Sequence, residues 1–376
     1  MKITDVKTIA YTVEYEDSTA TNTVLEIHTD EDIKGVTRVY RDAAYAIDSL
    51  LKRQLIGLNP LAINQVWETL GVAMFNRERG LRKSAMSIMD IALWDLVGRV
   101  YGQPVYRLLG GPATDRLPAY ASMPSQDIYR WQQDPEWVHE TATKLKELGY
   151  EAQKWFLVET PDKGMKGIQR MELIARTVRE AVGEGYTLMF DAVMRWDYLY
   201  ARRMCKILER CDPTWLEQPL NCTDFESYKQ LRQKTDIPLA EGEAANTLAD
   251  AVRYIECGID ILQCDSGNIG GITGLRQVAG LAAAYGKKLC PHASGYQIVA
   301  SETRDLCPWL EHFPKEYHDK RGLAIFKDNR KVVDGKAMLH EEPGVSRKID
   351  ESRIIRREVV RCLGSQRSRT GGDSSG

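Results

Sequence analysis

Five short apolar segments in the second half of the chain each end in a residue that can bind a metal ion or move a proton. These residues are Asp191, Glu217, Glu243, Asp265 and His292, and the intervals between them are 26, 26, 22 and 27 residues. A strand, a helix and two short loops need about that length. Side chains spaced in this way lie at the same end of successive parallel strands. In a barrel, that end is where active sites form.

The first three residues, Asp191, Glu217 and Glu243, offer only oxygen atoms and would repel one another without a cation. Such a set favours a hard divalent ion, Mg²⁺ above Mn²⁺ or Ca²⁺. Glu241 competes with Glu243, because alternate residues of a strand point the same way. Glu243 lies nearer the strand end and is the predicted ligand, with Glu241 as a deeper charge behind it. Pairing of each carboxylate with an Arg or Lys is the alternative, but no matched cations follow the same spacing.

Asp265 and His292 are predicted to form a general base, because an aspartate fixes the tautomer of a histidine and raises its basicity. A purely structural histidine in the PHASG turn is the alternative. Lys154, on an earlier strand, is predicted to face the metal and to bind a substrate carboxylate, although a plain salt bridge would also satisfy it. A Mg²⁺ ion opposite a base suggests removal of a proton α to a carboxylate.

The rest of the chain predicts two domains. In residues 2–13 and 23–40, apolar and polar residues alternate as in the strands of an antiparallel sheet. In residues 41–109, apolar residues recur with the period of a helix. From Leu117 strands alternate with helices, giving eight strand candidates of a (β/α)7β-type TIM barrel. An open doubly wound sheet would need a Gly-rich phosphate turn after an early strand, and the sequence has none. GNIGG is interpreted as a tight barrel turn. The predicted parts are an N-terminal α+β capping domain, the barrel, a C-terminal segment that completes the cap, and a disordered tail: residues 1–115, 116–320, 321–362 and 363–376.

Composition narrows the possible partners. The 376 residues are 43% hydrophobic and 28% charged, with a net charge of −2, which gives no sign of a nucleic-acid or anionic membrane partner. No apolar run is long enough to span a bilayer, and the N-terminus lacks the pattern of a signal peptide. Eight cysteines contain no Cys-x-x-Cys pair, which favours free thiols in the cytoplasm.

Several motifs resemble the enolase superfamily, in its mandelate racemase-like branch, over about residues 1–345. AMSIMDIALWDLVGRVYGQPVYRLLGG resembles the helix that precedes the barrel in that family, and FDAVMRW, WLEQPL, AEGE, CDSGNIGGIT and PHASG occur in the family's order. The resemblance implies one Mg²⁺ held by the three carboxylates and an acid/base dyad of His292 and Asp265. It also implies that Glu311 lies near the substrate carboxylate, that loops around residues 14–22 set specificity, and that the protein is a homo-oligomer.

Two departures from that family bear on the reaction. Racemases of the branch carry Lys-x-Lys on the second barrel strand, whereas this chain has Lys154-Trp155-Phe156, so that Phe156 stands in place of a second base. One histidine can still remove the α proton and then protonate a departing β-hydroxyl. The predicted function is therefore Mg²⁺-dependent dehydration of a sugar acid (an aldonate) to a 2-keto-3-deoxy acid. Val193 replaces an asparagine common in relatives and leaves the choice of metal less constrained.

Two alternatives stay open. A racemase or epimerase would need another base, for which Arg195 and Glu241 are weak candidates. A non-catalytic sugar-acid-binding relative would have no need of the His292–Asp265 pair. The sequence does not identify the sugar, and the candidates for contacts from the cap are Arg38, Tyr40 and Arg79.

Overall fold

The computed structural model describes residues 1–39, 41–73, 80–123, 133–293, 295–315, 317–318, 321–327, 331–345 and 348–360. The chain forms two compact units. The N-terminal unit contains Met1–Val105, Arg321–Lys327 and the residues from Glu342 onward; the barrel unit contains Tyr106–Lys320 and Asp328–Glu341. Tyr40, Arg79 and the predicted tail at 363–376 lie outside the described residues.

The N-terminal unit is built on a four-stranded antiparallel sheet in the order β14-β1-β2-β3. Its strands are β1 (Ile3–Tyr15), β2 (Ser18–Thr29), β3 (Lys34–Val39) and β14 (Ile354–Val359). Four helices and one π-helical segment follow β3: α1 (Arg41–Ala46), the π-helix Ile47–Leu51, α2 (Lys52–Leu55), α3 (Ile63–Ala73) and α4 (Leu81–Tyr101). Apolar side chains of the sheet and of the helices form one buried core.

Residues 14–22, predicted as a specificity loop, form the end of a β-hairpin; their role in specificity stays a prediction. β1 and β2 stay paired up to Tyr15 and Ser18, so only Glu16 and Asp17 form the turn. Glu16 adopts the left-handed conformation that such a short reversal needs, with φ of 51°. The Thr- and Ser-rich stretch after the turn continues the strand because β-branched residues suit a pleated surface.

Helix α4 is held to its neighbours by one buried carboxylate. Asp95 Oδ2 accepts hydrogen bonds from the Val36 backbone N–H at 2.9 Å and from Arg99 Nε at 2.7 Å. Asp95 Oδ1 accepts the Val345 backbone N–H at 2.9 Å. Burial raises the pKa of Asp95, while the charge and hydrogen bond of Arg99 act in the opposite direction. The aspartate thus ties the helix both to β3 and to the C-terminal segment.

Gly35 permits the close approach of β3 to α4, and its replacement by alanine is expected to destabilise the protein. An added Cβ would overlap the Ala92 carbonyl oxygen and lie 2.8 Å from Leu96 Cβ. Overpacking of this kind costs about 1–3 kcal/mol. Gly71→Ala is the matched control, because no other described residue lies within 4 Å of the added methyl on α3 and alanine favours a helix by about 0.5–1 kcal/mol. Urea denaturation of both variants measures the difference, and equal stabilities would contradict the packing argument.

The barrel unit confirms the eight predicted barrel strands, all parallel. They are β4 (Arg116–Ser122), β5 (Ala152–Phe156), β6 (Thr187–Asp191), β7 (Trp215–Glu217), β8 (Leu239–Glu241), β9 (Ile261–Leu262), β10 (Lys288–Leu289) and β11 (Leu310–His312). Neighbours pair in sequence from β4 to β10, and β11 pairs with β4. Buried side chains in the barrel interior include Tyr120, Met189, Trp215 and Ile261.

Helices alternate with these strands. They are α5 (Val105–Leu108), α6 (Pro135–Glu147), α7 (Gly164–Val182), α8 (Tyr198–Leu208), α9 (Phe225–Arg232), α10 (Leu248–Glu256), α11 (Gly271–Ala284) and α12 (Tyr296–Ser301). Four of them begin where the sequence offers a capping side chain that accepts a backbone N–H of the first turn: Asp134, Asp197, Asp224 and Thr247. No described helix is both long and apolar enough to cross a membrane.

The C-terminal part differs from the predicted single segment. A hairpin of β12 (Val332–Val333) and β13 (Lys336–Met338) belongs to the barrel unit. It does so because β13 pairs antiparallel with the start of β4, with Ala337 opposite Leu117. Residues 106–115 also belong to the barrel unit and not to the N-terminal one. The seven cysteines among the described residues are all free thiols.

Candidate active site

The carboxyl ends of the barrel strands carry the five residues singled out by spacing. Asp191 and Glu217 are the last residues of β6 and β7 and lie opposite each other in the parallel register. Glu243 follows the end of β8, Asp265 follows β9 and His292 follows β10. The strand order therefore brings all five to one end of the barrel.

Lys154 lies at the centre of this group, with its side chain 1% exposed. Its Nζ is 2.8 Å from Glu217 Oε1, 3.0 Å from Glu311 Oε1 and 3.4 Å from Asp191 Oδ2. Burial opposes its charge, but the charges of Glu217 and Glu311 outweigh burial, and the pKa of Lys154 is raised well above its usual value. These contacts are salt bridges to the protein's own carboxylates. Binding of a substrate carboxylate by Lys154 stays a prediction.

His292 and Asp265 form the predicted pair. His292 Nδ1 is 2.9 Å from Asp265 Oδ2, and Asp265 Oδ1 accepts the Gly267 backbone N–H at 2.6 Å. The hydrogen bond to Asp265 assigns the proton to Nδ1 and leaves Nε2 as the atom that can accept another. Burial lowers the pKa of His292, but Glu311, Asp265 and Glu243 together raise it to about 10.

Glu311, on β11, connects Lys154 to His292. Its Oε1 pairs with Lys154, and its Oε2 accepts the Ala293 backbone N–H at 2.8 Å and lies 3.9 Å from His292 Nε2. Burial raises the pKa of Glu311, but the charges of Lys154 and His292 and the Ala293 hydrogen bond lower it to about 2. Glu311 is therefore ionised and faces the atom of His292 that can move a proton.

Glu241 and Glu243, which the alternation argument treated as equivalent, differ in burial and in backbone conformation. β8 ends at Glu241, and Gly242 has a φ of 133°, which turns the chain before Glu243. Glu241 is fully buried and accepts hydrogen bonds from Tyr228 OH at 2.7 Å and from the Gly242 N–H at 3.0 Å. Burial raises the pKa of Glu241 to about 7 despite these hydrogen bonds. Glu243, with its side chain 36% exposed, has Oε1 at 3.7 Å from His292 Nδ1.

Two glutamines that the spacing of the acidic residues does not indicate are part of the site. Gln263 Nε2 donates to Glu217 Oε2 at 2.6 Å, and Gln218 Nε2 lies 3.2 Å from both Glu241 Oε1 and Glu243 Oε2. Trp215 Nε1 also donates to Glu217 Oε2, at 3.3 Å. Strand alternation could have identified Trp215, because it lies two residues before Glu217 on β7 and so shares its face. Gln263 follows the end of β9, where alternation gives no signal.

The loops at this end of the barrel contain strained backbone. Val193, Met194, Gln218 and Ala293 have φ between 44° and 57°, a region that residues other than glycine rarely adopt. The strained N–H groups serve the site. Val193 donates to Asp191 Oδ1 at 2.8 Å, and Ala293 donates to Glu311. Functional sites are where such strain is usually retained.

The residues present fit a hard cation by their chemistry. Two cationic or protonatable groups, Lys154 and His292, face five carboxylates: Asp191, Glu217, Glu243, Asp265 and Glu311. Burial and then the charge of Glu217 raise the pKa of Asp191 well above its usual value, although Lys154 lowers it. In the described part of the chain, no three His, Cys, Asp or Glu side chains are arranged to hold a metal ion in this structure, so the fit rests on the type of donor and on charge. The excess of negative charge and the all-oxygen donors match a divalent ion such as Mg²⁺.

Phe156 lies on the same face of β5 as Lys154 and opposite Asp191 in the register. It is 9% exposed, and its ring centroid is 5.7 Å from Lys154 Nζ. An apolar ring therefore stands beside Lys154, at the position where the racemase pattern Lys-x-Lys would have a second lysine. Of the alternative bases, Arg195 is exposed and Glu241 is fully buried. Arg38 lies half-buried on β3 of the N-terminal unit.

Comparisons with known proteins agree with this geometry. Residues 137–353 match the family described as enolase C-terminal domain-like, and residues 6–110 match the mandelate racemase / muconate lactonizing enzyme N-terminal domain. L-rhamnonate dehydratase of Saccharopolyspora erythraea is 30% identical over 332 residues, which cover 86% of this chain and 81% of that protein. D-galactonate dehydratase of Pectobacterium atrosepticum is 30% identical over 351 residues, with 89% and 90% covered.

A solved structure extends the match to three dimensions. The mandelate racemase/muconate lactonizing protein from Paracoccus denitrificans, complexed with magnesium, is 25% identical, with a TM-score of 0.83. The alignment covers 96% of this chain and 99% of that one. The predicted fold and the predicted resemblance are confirmed. The chain belongs to the mandelate racemase/muconate lactonizing enzyme family of the enolase superfamily.

Proposed function

We propose that the protein is a Mg²⁺-dependent dehydratase of a sugar acid. The observation that carries the proposal is a single acid/base residue: His292 is hydrogen-bonded to Asp265 at 2.9 Å, while Phe156 occupies the second-base position. Transfer of a proton across both faces of a carbon needs two bases, whereas β-elimination can use one. The relatives named L-rhamnonate and D-galactonate dehydratase support the same reaction class.

The proposed reaction breaks two bonds of the substrate and uses one histidine twice. His292 Nε2 accepts the proton from C2, next to the carboxylate, and the electron pair of that C–H bond moves toward the carboxylate. The same histidine, now an imidazolium, donates the proton to the C3 hydroxyl as the C3–O bond breaks. Water leaves, and the enol becomes a 2-keto-3-deoxy acid. Asp265 holds the imidazole in one tautomer throughout and stabilises its charged form.

Asp191, Glu217 and Glu243 would hold Mg²⁺. When bound, the ion would stabilise negative charge on the substrate carboxylate and so make the α proton more acidic. Lys154 places a second positive charge beside these residues and would add to the same stabilisation. The carboxylates that raise the pKa of His292 include Glu243, a proposed ligand. Neutralising their charge lowers that pKa toward the range in which a base works near pH 7.

Incubation with a library of aldonic acids tests the reaction. We expect at least one member to give a 2-keto product that reacts with semicarbazide, only in the presence of Mg²⁺. The same assay is applied to the Phe156→Lys variant, because this change creates the Lys-x-Lys pattern of the racemases on β5. Absence of a keto product from any member, together with α-proton exchange and racemisation of another 2-hydroxy acid, would contradict dehydration and favour the racemase alternative.

A further inference from the structure

Each of the three proposed metal carboxylates has one oxygen held by a neutral N–H donor. Asp191 Oδ1 accepts the Val193 backbone N–H at 2.8 Å, and Glu217 Oε2 accepts Gln263 Nε2 at 2.6 Å. Gln218 Nε2 donates to Glu243 Oε2 at 3.2 Å. A side chain held through one oxygen keeps a single orientation, so the position of its other oxygen is fixed as well.

The other oxygen of each carboxylate faces a positive or protonatable group. Lys154 Nζ is 3.4 Å from Asp191 Oδ2 and 2.8 Å from Glu217 Oε1. His292 Nδ1 is 3.7 Å from Glu243 Oε1. In each of the three carboxylates, one oxygen thus accepts a neutral N–H group of the protein and the other faces Lys154 or His292.

The two glutamines have surroundings that fix their own positions. Gln218 and Gln263 are 2% and 1% exposed. Gln218 accepts the Met194 N–H through its backbone carbonyl at 2.7 Å, donates its own N–H to the Ala240 carbonyl at 3.0 Å, and reaches Glu241 as well as Glu243. The backbone of Gln218 has a φ of 44°, and its hydrogen bonds to Met194 and Ala240 keep it in that conformation. The Gln218 amide is therefore a rigid support for Glu243. Gln263 is held through its backbone N–H, which donates to the Glu241 carbonyl at 2.9 Å, and through its bond to Glu217.

We propose that Gln218 and Gln263 are positioning residues that make Glu243 and Glu217 offer one oxygen each, and thereby select Mg²⁺ over Ca²⁺. The inference rests on the proposed function, since it concerns the same cation site. Mg²⁺ requires near-octahedral geometry and keeps several waters, whereas Ca²⁺ takes six to eight ligands and accepts bidentate carboxylates. An oxygen that already accepts an amide N–H has one of its two lone pairs engaged and is turned toward the amide, which disfavours a bidentate contact.

Direct binding measurements on Gln218→Met and Gln263→Met test this role. Methionine keeps the length of the side chain and removes the N–H donor. Competition of Mg²⁺ and of Ca²⁺ against Mn²⁺, followed by electron paramagnetic resonance, gives both affinities without any substrate. We expect Mg²⁺ affinity to fall by about 10- to 100-fold and Ca²⁺ affinity to change by less than about threefold. A purely structural role would weaken both ions in the same proportion.

Controls separate failure of this inference from failure of the proposed function. Gln230→Met, at an exposed position of α9, should leave both affinities unchanged. Glu217→Gln should abolish Mg²⁺ binding. If the wild-type chain binds no Mg²⁺, the proposed metal site fails and the inference with it. If the wild type binds and both methionine variants keep its Mg²⁺ to Ca²⁺ ratio, only the inference is overturned. If circular dichroism shows that a methionine variant does not fold, the corresponding asparagine variant, Gln218→Asn or Gln263→Asn, replaces it. The asparagine side chain is one methylene shorter, so its amide does not reach the carboxylate, and the same loss of selectivity is expected.

Discussion

Replacement of His292 by asparagine is expected to lower kcat by roughly 10³-fold and to abolish exchange of the α proton with solvent. Asparagine can keep a hydrogen bond with Asp265 but has no group that accepts and returns a proton near neutral pH. Nε2 of His292 is the atom that faces Glu311 and the interior of the site. Its loss therefore removes the proposed base and the proposed acid together.

Two measurements distinguish this role from a structural one. Proton exchange is followed by NMR in D₂O with the aldonate identified in the library, and Mg²⁺ affinity is followed by titration. We expect the Mg²⁺ affinity to stay near that of the wild type, because the proposed ligands are unchanged. His139→Asn, at an exposed position of α6, is the control and should retain full turnover. Exchange that persists in His292→Asn would assign the base to another residue.

The sequence predicted where the barrel strands end because the determining pattern is local. A short apolar strand followed by an amphipathic helix has nearly fixed length, so the spacing from Asp191 to His292 carries the topology. The same alternation predicted eight strands, and β11 is the last of them. Helix starts depend on local chemistry as well, since a capping side chain such as Asp197 acts within one turn.

The sequence did not predict which atoms the carboxylates contact. Alternation placed Glu241 and Glu243 on one face, but a single left-handed glycine between them separates a buried side chain from a partly exposed one. The contacts of Lys154 with three carboxylates come from β6, β7 and β11, which are up to 157 residues away in the chain. Such pairings depend on rotamers and on closure of the barrel, and neither leaves a periodic trace in the sequence.

Replacement of Lys154 by methionine is expected to destabilise the folded chain by about 3–5 kcal/mol when no divalent ion is added, because it leaves buried carboxylates without their cation. Glu217, Glu311 and Asp191 all lie within 3.4 Å of the ammonium group, and none is more than 5% exposed. Lys206→Met, at an exposed position of α8, is the control and should change stability by less than about 0.5 kcal/mol. Urea denaturation at pH 7 in EDTA measures both.

The deficit of Lys154→Met should shrink as the pH falls. The pKa of Glu311 is about 2 in the folded chain, below its usual value of 4.5. A depressed carboxyl pKa stabilises the fold above pH 4.5, and that stabilisation is lost as the pH falls toward 2. Without Lys154 the pKa of Glu311 rises, so the folded variant takes up a proton that the wild type does not. The difference between the two proteins is therefore expected to be smaller at pH 4 than at pH 7.

Added Mg²⁺ should restore part of the stability lost in Lys154→Met. The gain in free energy of unfolding should be larger in this variant than in the wild type. A ligand that binds only the folded chain stabilises it by about 2.7 kcal/mol at 100 times its dissociation constant. In the variant the ion also meets more uncompensated negative charge at Asp191 and Glu217, so its affinity should rise. An equal gain in both proteins would mean that Lys154 and the ion do not balance the same carboxylates. That result would place the cation site elsewhere in the chain.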